Sequence, residues 1–321
     1  MTLTPAPFRD DLAQGPAGGR AFWATASDGV RIRLGHFPAA EGRGTVLLFP
    51  GRTEYIEKYG RTAADLAKGG YHTLVIDWRG QGMADRLLDD TRTGHVDVFE
   101  DYQKDVAAML DAARALDLPR PYHLIAHSMG GCIGLRAVTE DLPVASCVFS
   151  GPMWGIRIAP AMRPAAWALS WGIDRLGHGH RIAPGTKSES YVTWQPFEDN
   201  QLTTDADMFD YLRGHLAAEP RFHLGGPSLR WLYQALAECR LLARRPSPDL
   251  PCLTFCGTNE RIVDTARIRQ RMDNWPGSTL HWVEGGEHEV LMESPETRNR
   301  ITAQTLALFD AASAGKPARS A

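Results

Sequence analysis

From Thr45 onward, short apolar runs alternate with longer amphipathic stretches. Residues 45–49, 72–77, 122–126, 146–150, 252–256 and 279–283 have the length and composition of buried strands. The stretches between them fit helices. The clearest carries Phe99, Tyr102, Val106, Met109, Leu110 and Ala113 at three-to-four spacing, one apolar face. Another, near residues 296–312, closes the pattern. Strand–helix alternation of this kind predicts an α/β fold, a mostly parallel central sheet flanked by helices. Ahead of it, residues 22–37 alternate about Asp28-Gly29, a hairpin signal.

The alternation stops between Gly151 and Pro251. That stretch of about 100 residues has no convincing strand and three helix-like segments, 159–176, 205–218 and 229–244, broken by Gly and Pro. It predicts a helical cap over 152–245, inserted into a core formed by 21–151 and 246–314. Residues 1–20, rich in Pro, Gly and Ala, read as a flexible N-terminal arm, and 315–321 as a frayed tail. The arm has no apolar core of a signal peptide, and no run reaches membrane-spanning length.

Composition narrows the class. The 321 residues suffice for one large core plus an insertion, and 43% hydrophobic with 23% charged residues is ordinary for a globular enzyme. A net charge of −3 gives no basic field for nucleic acid. Cys132, Cys147, Cys239, Cys252 and Cys256 form no C-x-x-C pair and lie mostly in apolar stretches, as buried free thiols in a reducing, cytoplasmic compartment would.

The chemistry centres on Ser128. The run Leu124-Ile125-Ala126-His127-Ser128-Met129-Gly130-Gly131 is a strand, a serine and small residues where a helix begins. This is a G-x-S-x-G nucleophile elbow with Ala126 in place of the first Gly. A serine needs a base and an orienting acid, in the order Ser, acid, His on such elbows. The loop after strand 252–256 supplies Glu260, and the Gly-rich loop after 279–283 supplies His288. Asp264 rivals Glu260 as the acid but stands where it would cap the next helix. His281 rivals His288 but lies within a strand. Backbone N–H groups of Met129, beside Ser128, and Arg52, after Pro50-Gly51, are the candidate oxyanion donors. His178-Gly179-His180 lacks a third ligand, so neither metal nor cofactor is expected.

With these residues in place, the chain resembles the α/β-hydrolase superfamily and, within it, the bacterial lysophospholipase and monoacylglycerol lipase branch. Gly51-Arg52-Thr53-Glu54-Tyr55 stands at that branch's oxyanion loop, Asp77-Trp78-Arg79-Gly80-Gln81-Gly82 resembles its D-x-R-G-x-G turn, and the segment from Gly94-His95-Val96 to Asp105 resembles the helix leading to the nucleophile strand. Asn200-Gln201-Leu202-Thr203 and Gly225-Gly226-Pro227 resemble its cap. Two departures are Pro50-Gly51 where many relatives have His-Gly, and Glu260 where Asp is usual; Glu is found among lysophospholipase-like members. The resemblance implies a serine hydrolase cleaving a lysophospholipid or monoacylglycerol ester through an acyl-enzyme. Rival readings are an esterase, peptidase or carbon–carbon hydrolase on a small soluble substrate, or a ligand-binding receptor that kept the triad.

A cap would shape the acyl pocket. Its first part, rich in Met, Trp and Ile, offers Trp154, Trp167 and Trp171 as pocket residues and as peripheral contacts with a membrane at the inner face. Arg52 is a candidate partner for a head-group phosphate, whereas Arg240, Arg244 and Arg245 read as solvated charge.

Overall fold

The computed structural model describes residues 2–314; the tail expected over 315–321 lies outside them. Among these residues, nine strands form one sheet: β1 (Thr4–Ala6), β2 (Arg20–Thr25), β3 (Arg31–Phe37), β4 (Gly44–Phe49), β5 (Tyr71–Asp77), β6 (Tyr122–His127), β7 (Cys147–Ser150), β8 (Cys252–Gly257) and β9 (Ser278–Val283). Their order is β1-β2-β3-β5-β4-β6-β7-β8-β9. The first three strands and the β3–β5 pair are antiparallel; from β5 through β4 to β9 every pair is parallel. Each of the six strands expected from apolar runs appears within one residue of its expected ends, and the Asp28-Gly29 hairpin joins β2 to β3.

Among the described residues, ten α-helices accompany them: α1 (Asp10–Ala13), α2 (Gly60–Lys68), α3 (Tyr102–Ala115), α4 (Ser128–Thr139), α5 (Arg163–Ile173), α6 (Tyr191–Trp194), α7 (Ala206–Ala218), α8 (Leu229–Leu242), α9 (Thr265–Asp273) and α10 (Pro295–Ala314). The strands have two buried faces, so successive residues feed different cores. Leu47 and Phe49 join Met109 of α3, Ile133 of α4 and Ile268 of α9; Val46 and Leu48 join Leu66 of α2 and Phe309 of α10. Phe99 sits in a single 3₁₀ turn that leads into α3 rather than in the helix itself.

The chain between β7 and β8 is helical, with isolated bridges as its only extended pairings among the described residues. It emerges beside Ser128, and α5 and α8 pack together above α4.

The N-terminal segment departs from the expected loose arm. Thr4–Ala6 adds an edge strand to β2, with Thr4 opposite Trp23. Pro7 O accepts from the fully buried Arg33 at 2.9 Å, and Ala13, itself buried, accepts from Tyr211 Oη at 2.8 Å. Three strand residues and one turn of helix are too short to show periodicity. What orders them is the set of donors waiting on β3 and α7.

Candidate active site

Ser128 is the first residue of α4, directly after β6, with φ at +50°. Non-glycine residues avoid this region, so the surroundings must hold the turn. They do so by close approach. A Cβ at Gly130 would collide with the carbonyl oxygens of Phe49 and Pro50, and one at Gly131 with Pro152. Ala126, in the place of the first glycine, is accommodated from the helix side: a Cβ at Gly134 would already lie 3.1 Å from the Ala126 methyl.

His288 Nε2 lies 2.9 Å from Ser128 Oγ, and its Nδ1 lies 2.6 Å from Glu260 Oε2. Glu260 Oε1 accepts from the N–H groups of Ile262, at 2.6 Å, and Val263, at 3.1 Å. Burial pushes the Glu260 carboxyl up, but the charge and hydrogen bond of His288 and these two N–H donors outweigh it, and its pKa lies below the ordinary value. For His288, burial lowers proton affinity, but Glu260, with the charges of Glu289 and Glu54, raises it, and the net shift is upward. Asp264 is engaged elsewhere: it caps α9 through Ala266 N at 3.2 Å and accepts from Arg163 at 2.9 Å. His281 lies in β9, stacked on Phe255.

The His288 loop is held by the insertion. His288 N donates to Gln201 O at 3.3 Å and Glu289 N to Leu202 O at 2.7 Å, while Thr203 Oγ1 donates to Met292 O at 2.7 Å.

On the other side of Ser128, Arg52 and Thr53 follow β4, with Thr53 at φ +69°. The D-x-R-G-x-G turn braces this loop: Trp78 Nε1 donates to Pro50 O at 2.9 Å, and Gln81 Nε2 to Gly51 O at 2.8 Å. Glu54 closes it by accepting from Gly51 N and from Tyr59 Oη. Among the described residues, neither Arg52 N–H nor Met129 N–H has a protein acceptor.

Sequence reasoning missed a buried ionic group beneath this site. Lys58 Nζ pairs with Glu54 and, at 2.6 Å, with Glu289. His127 directs Nδ1 to Ser150 O at 2.9 Å, and its Nε2 is 3.2 Å from Glu289 Oε2. Carboxylates of Glu54 and Glu289 with His127 could surround a metal ion, but the Lys58 ammonium already supplies a cation to both carboxylates. One signal was available: Glu54 and Lys58 stand four apart just after the oxyanion loop, and Glu289 adjoins His288.

A cavity of about 1020 Å³ opens over Ser128 and His288. Met153, Ile156, Ile158, Met162 and Leu169 give it an apolar wall from the insertion. The expected tryptophans are not in that wall. Trp154 is buried in the core, its indole N–H donating to Gly131 O at 3.1 Å and its ring packed on Phe149. Trp167 turns outward against Tyr233, beside Arg240 and Arg244, and Trp171 is 49% exposed. Their helix presents Leu169 to the cavity instead. Trp231 of α8, not anticipated, lines it.

Arg52 also lines the cavity. Its Nη1 donates to Gly225 O at 2.7 Å, and its guanidinium lies 5.6 Å from the Trp231 ring centroid. No carboxylate among the described residues forms an ion pair with it, and burial pushes its pKa down to about 10.

Residues 40–295 match the Hydrolase_4 family, described as serine aminopeptidase, S33. Lysophospholipase L2 of Escherichia coli (strain K12) is 32% identical over 289 residues, covering 86% of this chain and 83% of that protein. The chain belongs to this hydrolase family. It falls in the lysophospholipase-like branch of the α/β-hydrolases, as its motifs implied. Phospholipase YtpA of Bacillus subtilis is 25% identical over 70% of this hydrolase and 78% of its own length. In fold, the hydrolase is similar to a soluble variant of monoglyceride lipase from Saccharomyces cerevisiae, with a TM-score of 0.70 at 21% identity, covering 90% and 94% of the two chains. A carboxyl esterase from Bacillus coagulans gives 0.71 at 15% identity, covering 92% and 99%.

Proposed function

We propose that this hydrolase releases the fatty acid of a lysophospholipid. Ser128 attacks the ester carbonyl as His288 takes its proton and Glu260 holds the imidazole. The N–H groups of Met129 and Arg52 face the oxyanion. His288 then protonates the departing alcohol, and water attacks the acyl-enzyme by the reverse path. No cofactor takes part.

The observation that carries the head-group assignment is Arg52. A desolvated guanidinium without a carboxylate, in the wall of an apolar cavity beside the nucleophile, suits a phosphate diester. The name of the Escherichia coli relative agrees. The insertion from 152 to 245 acts as the acyl-binding cap. No helix among the described residues is long and apolar enough to cross a membrane. Met162, Trp171 and Leu176, 59%, 49% and 75% exposed, give the cap an apolar surface for peripheral contact with the inner face of the cell membrane.

The test is fatty-acid release from a lysophospholipid and a monoacylglycerol of one chain length, with Ser128→Ala as control. Preferential, Ser128-dependent cleavage of the lysophospholipid is expected. Arg52→Ala should lower that kcat/KM by about tenfold, the value of one charge-assisted hydrogen bond, and monoacylglycerol cleavage much less. Equal losses on both substrates would remove the phosphate role.

A further inference from the structure

A second cavity, of about 630 Å³, lies at the seam between the core loop 82–92 and the base of the insertion. Arg31, Arg86, Arg92 and Arg221 line it, with Glu189 as the facing carboxylate. Arg31 pairs with Asp85 at 3.1 Å and Arg221 with Glu219 at 2.7 Å. Among the described residues, Arg86 and Arg92 make no ion pair. Arg86 gives its donors to backbone carbonyls instead: Gly80 and Gly82 of the core at 2.8 and 2.9 Å, and Arg221 of the insertion at 3.0 Å. Burial lowers its pKa. Two guanidinium groups without carboxylates, one of them largely withdrawn from water, leave a positive site that an anion would complete.

We propose that this seam cavity binds a phosphate-type dianion, held by the guanidinium groups of Arg86 and Arg92, the two that no carboxylate occupies. The planar forks of arginine match tetrahedral oxyanions. The site adjoins the reaction cavity without being part of it. Thr193 faces the arginines, whereas Tyr191 and Val192 of the same helical turn face the reaction cavity. Gly225 joins the two sites: its N–H donates to Arg92 O at 2.7 Å and its carbonyl accepts from Arg52. A bound dianion therefore braces the two residues that hold the insertion, Arg86 through Arg221 O and Arg92 through Gly225 N, the residue on which Arg52 leans. This inference does not depend on the lysophospholipid reading.

The experiment titrates the full chain calorimetrically with inorganic phosphate at constant ionic strength, and measures its retention on phosphatidic acid vesicles. Wild type, Arg52→Ala, Arg86→Ala and Arg92→Ala are compared, with thermal unfolding in phosphate-free buffer reporting that each variant is folded. Saturable phosphate binding by wild type and Arg52→Ala, weakened about tenfold or more in Arg86→Ala and Arg92→Ala, is expected for a soluble ligand. Binding to vesicles alone, lost in the same two variants, supports the site with a lipid-borne phosphate as its source. The proposal is overturned if both seam variants bind both probes like wild type. It is equally overturned if only Arg52→Ala loses binding, since the anion would then occupy the reaction cavity.

Discussion

At the scale of single residues, the proton on His288 is governed by opposing influences: burial disfavours it and Glu260, 2.6 Å away, favours it. The base works only when neutral. Because the shift is upward from 6.5, turnover should climb with pH through an inflection above that value. Glu260→Gln removes the largest raising influence and leaves burial against the charges of Glu289 and Glu54, so the inflection moves down while the maximal rate falls by roughly 10³–10⁴-fold. A pH–kcat/KM profile of both proteins checks this; an unmoved inflection would assign orientation of His288 to another group. The convergence of Ser128, Glu260 and His288 was legible because each follows a strand on a Gly-bearing turn, a local pattern. The tryptophans were misread because aromatic composition marks burial or exposure without saying which cavity a ring faces. Lys58 escaped because a buried cation looks like any surface lysine until Glu54 and Glu289 arrive from distant segments.

At the scale of elements, the elbow is a packing problem between β4, β6 and α4. Gly130→Ala drives a methyl into the Phe49 and Pro50 carbonyls and should cost about 1–3 kcal/mol or more, lowering Tm and removing activity together. Gly134→Ala meets side chains alone, Ala126 and Leu124 at 3.1 Å and Phe149 at 3.5 Å, so its loss should be smaller and be relieved in part by adding Ala126→Gly; thermal unfolding of the three variants separates these cases. The six strands β4–β9 were legible to within a residue because each is an apolar run bounded by turn residues. The N-terminal segment was not, because its order comes from tertiary partners. Removing residues 2–13 leaves Tyr211 Oη with Glu57 O alone, but takes the Leu12 carbonyl from the buried His215 and the Pro7 carbonyl from Arg33. At about 1–3 kcal/mol per buried group left unpaired, Tm should fall by several degrees in a calorimetric scan.

At the scale of the whole molecule, the insertion separates two tasks. Its outer helix α5 carries Trp171 at the surface, and its inner wall lines the cavity over Ser128. Replacing Trp171 and the nearby Leu176 by serine should weaken vesicle binding about tenfold or more while sparing turnover of a water-soluble ester, as sedimentation and a chromogenic assay would show. The insertion's existence was legible from the interrupted strand–helix rhythm; its attachment to the His288 loop was not, because Gln201 and Leu202 act there through their backbone carbonyls. That attachment limits how the enzyme can move. A rigid swing of the entire insertion would pull those carbonyls away from His288 and Glu289 and disarm the base, whereas bending confined to the chain around α5 would leave them in place. The entrance can therefore stand ajar during turnover, and traffic of fatty acid through it need not alternate with chemistry.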